Sequence, residues 1–498
     1  MITHRTTTRD AFGAEALVYT NDGARLLLMF ATDNRKDAHV YRVNALFMLS
    51  TNELIHLSTE VPEDNPAYPS LTRHIMAAHW YERQMMDQFG IIAEGHPDPR
   101  RLYHHENIPL GTYPMRKDFA WNTKLAHAQV PYPMHQVEGK GVYEIPVGPI
   151  HAGIIEPGHF RFNVRGERII TLEGKLFFKH KGVEKLVEGK TPEEALPFVE
   201  RVSGDMVVGH TLAYVQAVER ASGLVVSTHT EHLRSLYNEL ERITAHIFDI
   251  GNMGGMGTGF TFMAAQGFRM VEELRRLHHT LVGHRFLRGA VTLNGAHDIS
   301  KEHRDMIVKQ LEKLEKEIAP VIDIAFKSDG LMERFETTGV LTTKAAEAYG
   351  ASGLPARASS VPIDLRINLP YAAYADVVPA LCVEHGGDVA ARFRIRVREL
   401  AESIRMVRSL LGRFDAAQAD TTTHTYTKGS EFGWNESWRG DIVDFVSINA
   451  SGRIDRLVIR DPSFCNWPLF GELAPGNIVP DFPLCNKSLN LSYAGTDL

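Results

Sequence analysis

Apolar side chains in the second half of the chain recur with the spacing of amphipathic α-helices. One such stripe runs from Leu233 to Ile250, behind Thr228 and Glu231, which have the spacing of a capping box. Further stripes occupy the ranges 270–281, 307–318 and 393–411. Because long amphipathic helices usually pack as a bundle, the pattern predicts a mainly helical region here.

The first 120 residues have a different pattern, which indicates a mixed α/β region. Apolar runs at 17–20 and 25–30 flank Asn21-Asp22-Gly23, a turn signal that favours a pair of strands. The other elements predicted in this region are strands at 40–49 and 54–57 and a helix within 70–89.

Between the two regions, residues 121–140 have few periodic positions, so we expect a linker there. Beyond it, apolar residues at 160–164 alternate with polar ones ahead of Gly166, which predicts a β-hairpin.

The glycine-rich run 251–259 follows a long helix and not a strand. It is therefore no dinucleotide-binding fingerprint, and we expect a flexible loop.

The composition narrows the classes of function. Lys and Arg number 54 against 61 Asp and Glu, and this net charge of −7 disfavours a dedicated nucleic-acid binder. With three cysteines in 498 residues, the chain alone cannot hold a metal site or iron–sulfur cluster that needs four thiolates. No secretory signal and no run of 18 apolar residues is present. We therefore expect no direct transmembrane segment and a cytoplasmic location.

A first set of motifs lies in the N-terminal region. It consists of an aromatic-Glu-Arg segment at 80–83, Asp-x-Phe-Gly-Ile at 87–91, Gly-His-Pro-Asp-Pro-Arg-Arg at 95–101 and Pro-x-Arg-Lys-Asp-Phe at 114–119. This set resembles the 30 kDa subunit of respiratory complex I and its relatives in energy-converting hydrogenases. The resemblance implies a domain at 1–120 that joins a peripheral arm. It also implies a buried ion-pair and docking cluster, not a catalytic site, formed by Glu82, Arg83, His96, Asp98 and Arg100.

A second set of motifs lies at 148–151, 159–162, 180–186, 200–204, 239–242, 387–392 and 439–440. It resembles the large subunit of membrane-bound nickel–iron hydrogenases and the 49 kDa subunit of complex I. A chain that fuses both domains in this order resembles the large subunit of formate-hydrogenlyase-type, hydrogenase-4-like complexes. The resemblance implies an α/β domain, a linker at 121–140 and a mainly helical, hydrogenase-large-subunit-like α+β domain at 141–498.

The chain departs from the hydrogenase pattern at the metal ligands. Hydrogenases of this family hold nickel and iron through two Cys-x-x-Cys pairs, which supply soft thiolate ligands. At those positions this chain has Ser203, Met206, Ser463 and Asn466, and Cys465 is one residue out of register. We therefore expect no nickel–iron centre, and no other metal site is predicted.

The chain also departs from the complex I pattern, in which the vacated cavity binds a quinone. The quinone-binding Tyr of that family corresponds to Gly204 here, and the hairpin loop 152–159 has the hydrogenase form with Glu156. His151 and His159 are only nearby candidates for the quinone-binding His. The site chemistry thus matches neither family, and quinone binding stays open.

The resemblance implies four candidate catalytic residues. Glu156 stands where hydrogenases keep a proton-relay carboxylate, and a partly buried carboxylate can pass protons. The alternative is a surface glutamate or a salt bridge with a partner. His151 and His159 flank the same loop. His210, placed two helical turns after Ser203, is either a hydrogen-bonding group on the cavity floor or a core histidine.

Six residues are candidates for cofactor binding. His180 and Lys181 match a segment near the terminal iron–sulfur cluster of a small partner subunit, where a cation would raise the cluster potential. The alternative is a solvated interface charge. Arg392 borders the cavity in the family and would bind an anion or a quinone headgroup, unless its helix only forms surface salt bridges such as Arg396 to Glu399. The others are Ser203, Asp461 and Ser463, which we expect to line the old metal cavity, with helix or turn capping as the alternative for Asp461.

Together the resemblances imply a subunit of a membrane-associated, complex I-like oxidoreductase. Electrons would come from a 4Fe-4S cluster in a small iron–sulfur subunit and pass to a quinone or another small acceptor. Proton transfer would be coupled toward membrane-embedded antiporter-like subunits, from the cytoplasmic face of the inner membrane. The alternatives are a redox-inactive structural coupling subunit and an active nickel–iron hydrogenase, which the missing thiolates oppose.

Overall fold

The computed structural model describes residues 2–151, 155–414 and 425–498. The first elements are β1 (Ile2–Thr7), α1 (Arg9–Asn21), β2 (Arg25–Asn34), α2 (Arg35–Ala38), β3 (Val40–Met48), β4 (Leu54–Pro62), β5 (Ala67–Pro69), α3 (His79–Phe89) and β6 (Ile92–Glu94). One sheet has the strand order β1-β4-β3-β2, in which β1 runs parallel to β4 and the other neighbours are antiparallel. Strands β5 and β6 form a separate parallel pair.

Strands β2, β3 and β4 confirm three of the sequence predictions, and two others need correction. Residues 17–20 belong to α1, which buries Phe12 and Ala16, so the predicted strand pair around Asn21-Asp22-Gly23 is wrong. The predicted helix within 70–89 is shorter, since α3 begins at His79 after a 3-10 turn at Met76–Ala78. The turn signal marked a chain reversal, but it follows a helix and not a strand.

Residues 95–141 contain no helix or strand and run between the N-terminal sheet and the rest of the chain. Backbone hydrogen bonds hold the predicted linker in place, from Ala128 N to Asn107 O (3.0 Å) and from Val130 N to Glu106 O (2.8 Å). Arg100 Nη1 donates to Pro133 O at 2.8 Å. The linker is therefore bound along the joint between the two regions.

The second region begins with β7 (Val142–Val147), β8 (His159–Arg165), β9 (Arg168–Lys175), α4 (Val183–Leu186), α5 (Pro192–Val199), α6 (Val207–Ser222), α7 (Thr228–Thr258), α8 (Thr261–Val282), β10 (Val291–Thr292), β11 (Gly295–Ala296) and α9 (Lys301–Lys327). It continues with α10 (Asp329–Phe335), α11 (Thr343–Ala348), α12 (Leu354–Ala358), α13 (Leu365–Asn368) and α14 (Val389–Leu411). It ends with β12 (Gly429–Glu436), β13 (Asp441–Ile448), β14 (Ile454–Arg460), α15 (Pro462–Asn466), α16 (Phe470–Leu473), α17 (Phe482–Leu489) and α18 (Tyr493–Asp497). Short 3-10 turns lie at Ala372–Ala375, Trp467–Leu469 and Val479–Asp481.

The helices α7, α8, α9 and α14 confirm the four predicted stripes, whose apolar residues share one buried cluster. The predicted glycine-rich loop is wrong, because α7 continues through it to Thr258. A Cβ atom on Gly251 would lie 3.1 Å from Cα of Gly267, so the glycines let α7 and α8 approach closely. The helix cap is also different, since the Ser227 side chain accepts from Thr230 N.

Two three-stranded antiparallel sheets, β7-β8-β9 and β12-β13-β14, flank the helices. The predicted hairpin around Gly166 is confirmed by β8 and β9. Among the described helices, none combines the length and the apolar character needed to cross a membrane.

Candidate functional site

Residues 490–498, which we call the return segment, close over the two serines that stand at thiolate positions. Ser203 Oγ donates to Asp205 Oδ1 and contacts Ser492 Oγ, each at 3.0 Å. Because a hydroxyl has one hydrogen, Ser492 is the donor to Ser203. Ser492 N in turn donates to Ser463 Oγ at 2.9 Å. The return segment thus bridges the two segments that the resemblance aligns with the hydrogenase metal ligands, a region that we call the former metal site.

The residues at the other two thiolate positions contact groups outside this bridge. Met206 is buried, with its sulfur 3.3 Å from Ser437 Oγ. Asn466 exchanges two hydrogen bonds with the Ser352 backbone, at 3.0 Å and 3.1 Å. This donor set does not fit a nickel–iron centre, which needs thiolates. Within residues 2–151, 155–414 and 425–498, no group of three or more His, Cys, Asp or Glu side chains is placed to hold a metal ion.

Asp461 and His210 form a buried pair beneath this bridge, with Asp461 Oδ2 3.0 Å from His210 Nε2. Asp461 Oδ1 also accepts from Ser463 N at 2.7 Å and so caps α15. Burial raises the pKa of Asp461, but the hydrogen bond from His210 and the charges of His210 and Arg439 bring it below its ordinary value. Asp461 therefore lines the old cavity and caps a helix. Ser203 lies in the turn before α6 and not on the helix of His210, which corrects that placement.

Glu156 and Lys181 both bind the peptide group of Ala494 in the return segment. Ala494 N donates to Glu156 Oε2 at 2.9 Å, and Lys181 Nζ donates to Ala494 O at 3.3 Å. Lys181 Nζ also donates to Val202 O at 3.1 Å, beside Ser203. Burial lowers the pKa of Lys181, although the charge of Glu156 opposes this. The structure therefore brings Glu156 and Lys181 together at the rim of the closed site.

His151 and His159 each carry a polar atom at this rim that has no hydrogen-bond partner among the described residues. Residues 152–154 of the predicted loop lie outside the described residues. The His151 ring lies 6.1 Å from the Tyr493 ring, and His159 Nδ1 lies 3.3 Å from Gly148 O. Nε2 of each histidine is buried without a hydrogen-bond partner in the described part of the chain. Burial lowers the pKa of both histidines, so each is neutral near pH 7.

His180 and Arg392 occupy other surroundings. His180 Nδ1 lies 2.6 Å from Asp497 O, and its ring lies 5.2 Å from the Tyr103 ring of the N-terminal region. Arg392 donates to Ser488 Oγ, Gly387 O and Gly339 O at 2.7–3.0 Å. Burial lowers the pKa of Arg392 to about 10. Among the described contacts, neither residue touches Glu156, His151 or His159.

The alternative considered for the Arg392 helix, a surface salt bridge from Arg396 to Glu399, is wrong, because both side chains are buried. Arg396 Nη1 lies 2.5 Å from Asp249 Oδ2. Glu399 pairs instead with Arg357 and His246, at 2.8 Å and 3.0 Å. The face of α14 that carries these residues is thus part of the protein interior.

Sequence reasoning missed three residues that build the closed site. Arg439 holds Asp205 with two hydrogen bonds of 2.7 Å and 2.8 Å. Arg439 belongs to a recognised motif, and Asp205 stands between Ser203 and Met206, so both carried a sequence signal. Ser492 carried none, since its partner Ser203 is 289 positions away.

Glu241 of α7 is a further buried carboxylate, and it lies against the first turn of α6. Its oxygens accept from Val208 N and Gly209 N at 2.8 Å and 3.0 Å. These bonds favour the charged form, yet burial outweighs them and raises the pKa of Glu241 to about 8.

Stability should therefore depend on pH through Glu241. An unfolded glutamate ionises near pH 4.3, whereas folded Glu241 keeps its proton up to about pH 8. The folded state binds the extra proton in this window, so the free energy of unfolding falls as pH rises from about 4.3 to about 8. Glu241→Gln should flatten this part of the profile, measured by urea unfolding at several pH values. The control Glu312→Gln, at an exposed position, should leave the slope unchanged. Parallel profiles for Glu241→Gln and the unaltered chain would contradict the prediction.

Comparisons with known proteins match each region separately. Residues 10–124 match the family described as Respiratory-chain NADH dehydrogenase, 30 Kd subunit. Residues 181–252 match Nickel-dependent hydrogenase, and residues 255–431 match Respiratory-chain NADH dehydrogenase, 49 Kd subunit.

Similar proteins match along much or nearly all of the chain. Hydrogenase-4 component G of Escherichia coli is 30% identical, over 97% of this chain and 85% of its own length. Formate hydrogenlyase subunit 5 of Escherichia coli is 30% identical, over 96% and 86%. Carbon monoxide-induced hydrogenase of Rhodospirillum rubrum is 27% identical, over 71% and 99%.

Proposed function

The chain belongs to the family of Hydrogenase-4 component G and formate hydrogenlyase subunit 5, and we propose its function from this premise. In this chain a complex I 30 kDa-type region precedes the hydrogenase-type and 49 kDa-type regions. It is a subunit of a membrane-associated, complex I-like oxidoreductase complex. Electrons from the iron–sulfur clusters of a small partner subunit pass to a quinone or another small acceptor at this chain. Proton transfer is coupled to membrane-embedded antiporter-like subunits from the cytoplasmic face.

One observation carries the location of the acceptor. Nε2 of His151 and Nε2 of His159 are buried without partners in the described part of the chain, and Glu156 holds the return segment nearby. Buried polar atoms are normally hydrogen-bonded, so these two nitrogens favour a bound polar molecule or water. A quinone carbonyl could accept from Nε2–H of neutral His151, whereas His159, whose Nδ1–H donates to Gly148 O, offers Nε2 as an acceptor for a hydroquinone hydroxyl. We therefore place the acceptor at the rim, beside Glu156, and not at Ser203 and Ser463.

At this rim the chain's own residues would bind the acceptor and supply protons. The two neutral histidines would orient its oxygen atoms, and Glu156 would carry protons to them. Quinone reduction takes up two electrons and two protons, so a carboxylate near the acceptor has a defined task. His180 and Lys181, whose side chains bond to backbone oxygens of the return segment, would face the partner's iron–sulfur cluster.

The closure of the former metal site favours a second candidate, a redox-inactive coupling subunit. Ser203, Ser463 and Ser492 satisfy one another, and Met206 and Asn466 bond to other groups. A chain that only joins the peripheral and membrane parts of the complex would need no open site, so these internal hydrogen bonds would be sufficient. Metal analysis of the purified complex should find nickel far below one equivalent under either candidate.

Glu156→Gln in the purified complex tests the first candidate. With a water-soluble quinone and an artificial reductant, we expect turnover to fall about 100-fold, since positioned acid–base groups contribute roughly 10²–10⁴-fold. The control Glu167→Gln changes an exposed glutamate at the other end of the β8–β9 hairpin and should leave turnover unchanged.

The outcomes separate the two candidates. Unchanged turnover and unchanged proton coupling in Glu156→Gln would overturn the role of Glu156. Absence of quinone-dependent turnover in the unaltered complex, with an intact iron–sulfur spectrum, would favour the structural coupling role.

A further inference from the structure

A cavity of about 240 Å³ lies at the joint between the N-terminal and C-terminal regions. Its walls come from α3, from the linker around Tyr132, from β9 and from the 3-10 turn after α15. It shares none of its lining with Glu156, His151, His159 or the return segment. The cavity thus has a different lining from the proposed acceptor site, although Phe160 of its wall contacts the His151 ring at 5.9 Å.

The two carboxylates in its wall are neutralised within the protein. Arg100 binds Asp98 with two hydrogen bonds of 2.7 Å and 2.8 Å, and Arg83 Nη1 lies 3.3 Å from Asp98. Glu173 accepts from Arg100 Nη1 at 2.6 Å and from His135 N at 2.9 Å. The two arginines therefore balance the two acids, and neither arginine adds net charge to the cavity.

Lys175 is a third cation in this wall, and its ion-pair partner does not line the cavity. Its side chain is only 5% exposed, and its ammonium lies 3.7 Å from the centre of the Tyr132 ring. Its acidic partner is Glu106, whose Oε1 is 2.9 Å away and whose side chain is 54% exposed to solvent. Burial lowers the pKa of Lys175, as expected for an ammonium that has lost most of its water.

His79 adds a further polar group to the same wall. Its Nδ1 is buried and has no hydrogen-bond partner among the described residues. Its ring is stacked on that of His96 at 5.3 Å, which restricts its orientation. A ligand that accepts a hydrogen bond would satisfy this atom.

The rest of the wall is largely aromatic. The aromatic side chains are Trp80, Tyr132, Phe160, Phe177, Tyr349, Trp467 and Phe470. Several contact one another, such as Trp80 with Phe177 at 5.6 Å and Trp467 with Phe470 at 5.2 Å. Such walls suit a flat ring, because aromatic rings bury much apolar area and prefer edge-to-face or offset contacts. An apolar cavity of about 150 Å³ already holds benzene, so about 240 Å³ has room for a ring and one small substituent.

We propose that this cavity is a binding site for a small aromatic monoanion of the aryl carboxylate class. The ring lies among the aromatic side chains, and the carboxylate binds the Lys175 ammonium and accepts from His79. A carboxylate desolvated beside a buried ammonium forms a charge-assisted hydrogen bond, which is stronger than a neutral one. Neutral or cationic arenes of the same size are bound more weakly.

Isothermal titration calorimetry of the full chain tests this with benzoate, benzyl alcohol and benzylamine as probes. Benzoate should bind with a Kd below about 1 mM, and the two other probes at least about tenfold more weakly. Lys175→Met should weaken benzoate binding at least about tenfold. The control Lys179→Met, at an exposed position four residues on, should not change it.

A second variant should strengthen benzoate binding, and it changes a half-exposed side chain and not one in the protein interior. Glu106→Gln removes the half-exposed partner of Lys175 and should tighten benzoate binding several-fold. Any of three results would overturn the proposal. These are no binding of benzoate, equally strong binding of benzoate and benzyl alcohol, or an affinity for benzoate that neither Lys175→Met nor Glu106→Gln changes. The cavity would then hold water only.

Discussion

Arg357→Met is expected to destabilise the protein by about 3–5 kcal/mol, because it removes the arginine charge from two buried carboxylates. Arg357 is fully buried, with Nε 2.8 Å from Glu399 Oε1 and Nη1 2.7 Å from Glu436 Oε1. Methionine fills much of the volume but supplies no charge. Urea unfolding followed by circular dichroism measures the loss.

The loss should depend on pH. Burial already raises the pKa of Glu436 to about 7, and the positive charge of Arg357 opposes this rise. Without Arg357, the pKa of Glu436 rises further, and the pKa of Glu399, which Arg357 helps to hold well below its ordinary value, rises as well. The folded variant therefore holds extra protons at low pH. The stability difference from the unaltered protein should therefore grow as pH rises from about 5 to about 8.

Arg408→Met on the same helix as Glu399 is the matched control. Arg408 pairs with Glu315 at the surface, where Nη1 lies 2.9 Å from Oε1 and both side chains are exposed. Exposed ion pairs contribute about 0–1 kcal/mol, so this variant should lose little stability. Similar losses for the two variants would show that the Arg357 network contributes no more than a surface pair.

Gly495→Ala is expected to lift the return segment from the former metal site. A Cβ atom on Gly495 would overlap Asp461 Oδ2 and would lie 3.0 Å from Ser492 Oγ. Asp461 cannot retreat, because its two oxygens are held by His210 and Ser463 N. Overpacking of an interior typically costs about 1–3 kcal/mol. Urea unfolding should show this loss, and hydrogen exchange of the Ser492 and Gly495 amides should become faster.

Gly13→Ala gives the comparison for a glycine with free space. Gly13 lies inside α1, where no atom other than the nearby backbone of α1 itself and the two chain neighbours is within 4 Å of the position that a methyl group would take. Alanine is favoured over glycine in a helix by about 0.5–1 kcal/mol, so stability should rise slightly. Unchanged stability and unchanged exchange in Gly495→Ala would mean that the return segment is not packed tightly on Asp461.

The long helices were predictable because their stripes agree with their burial. Leu233, Leu240 and Ile247 are buried at the spacing that a helix requires. Two predictions, the strand at 17–20 and the loop at 251–259, were wrong for the same reason. In both places tertiary packing outweighed the turn or glycine signal in the sequence. Residues 17–20 extend α1 despite the turn signal behind them, and the glycines near 251–259 continue α7 because α8 packs closely on them.

The candidate site was predictable only in part. The resemblance pointed to the region of Ser203, Asp461 and Ser463, and the structure brings these residues together. The roles of Glu156, His151 and His159 stay predictions. Sequence reasoning could not find that Ser492 bridges Ser203 and Ser463, because a hydrogen bond between distant segments leaves no periodic signal.

The sequence by itself determined the family-like motifs, the amphipathic helices and the absence of four thiolates, since each depends on residue identity or on spacing within one segment. The tertiary structure alone decided what occupies the vacated metal site and which buried charges pair. Arg357 with Glu436 and Lys175 with Glu106 join segments 79 and 69 positions apart. Such pairs form only when the folded chain has excluded water from the interior, because an unpaired charge is costly there. Which partner each polar group finds then depends on the groups that the fold places nearby.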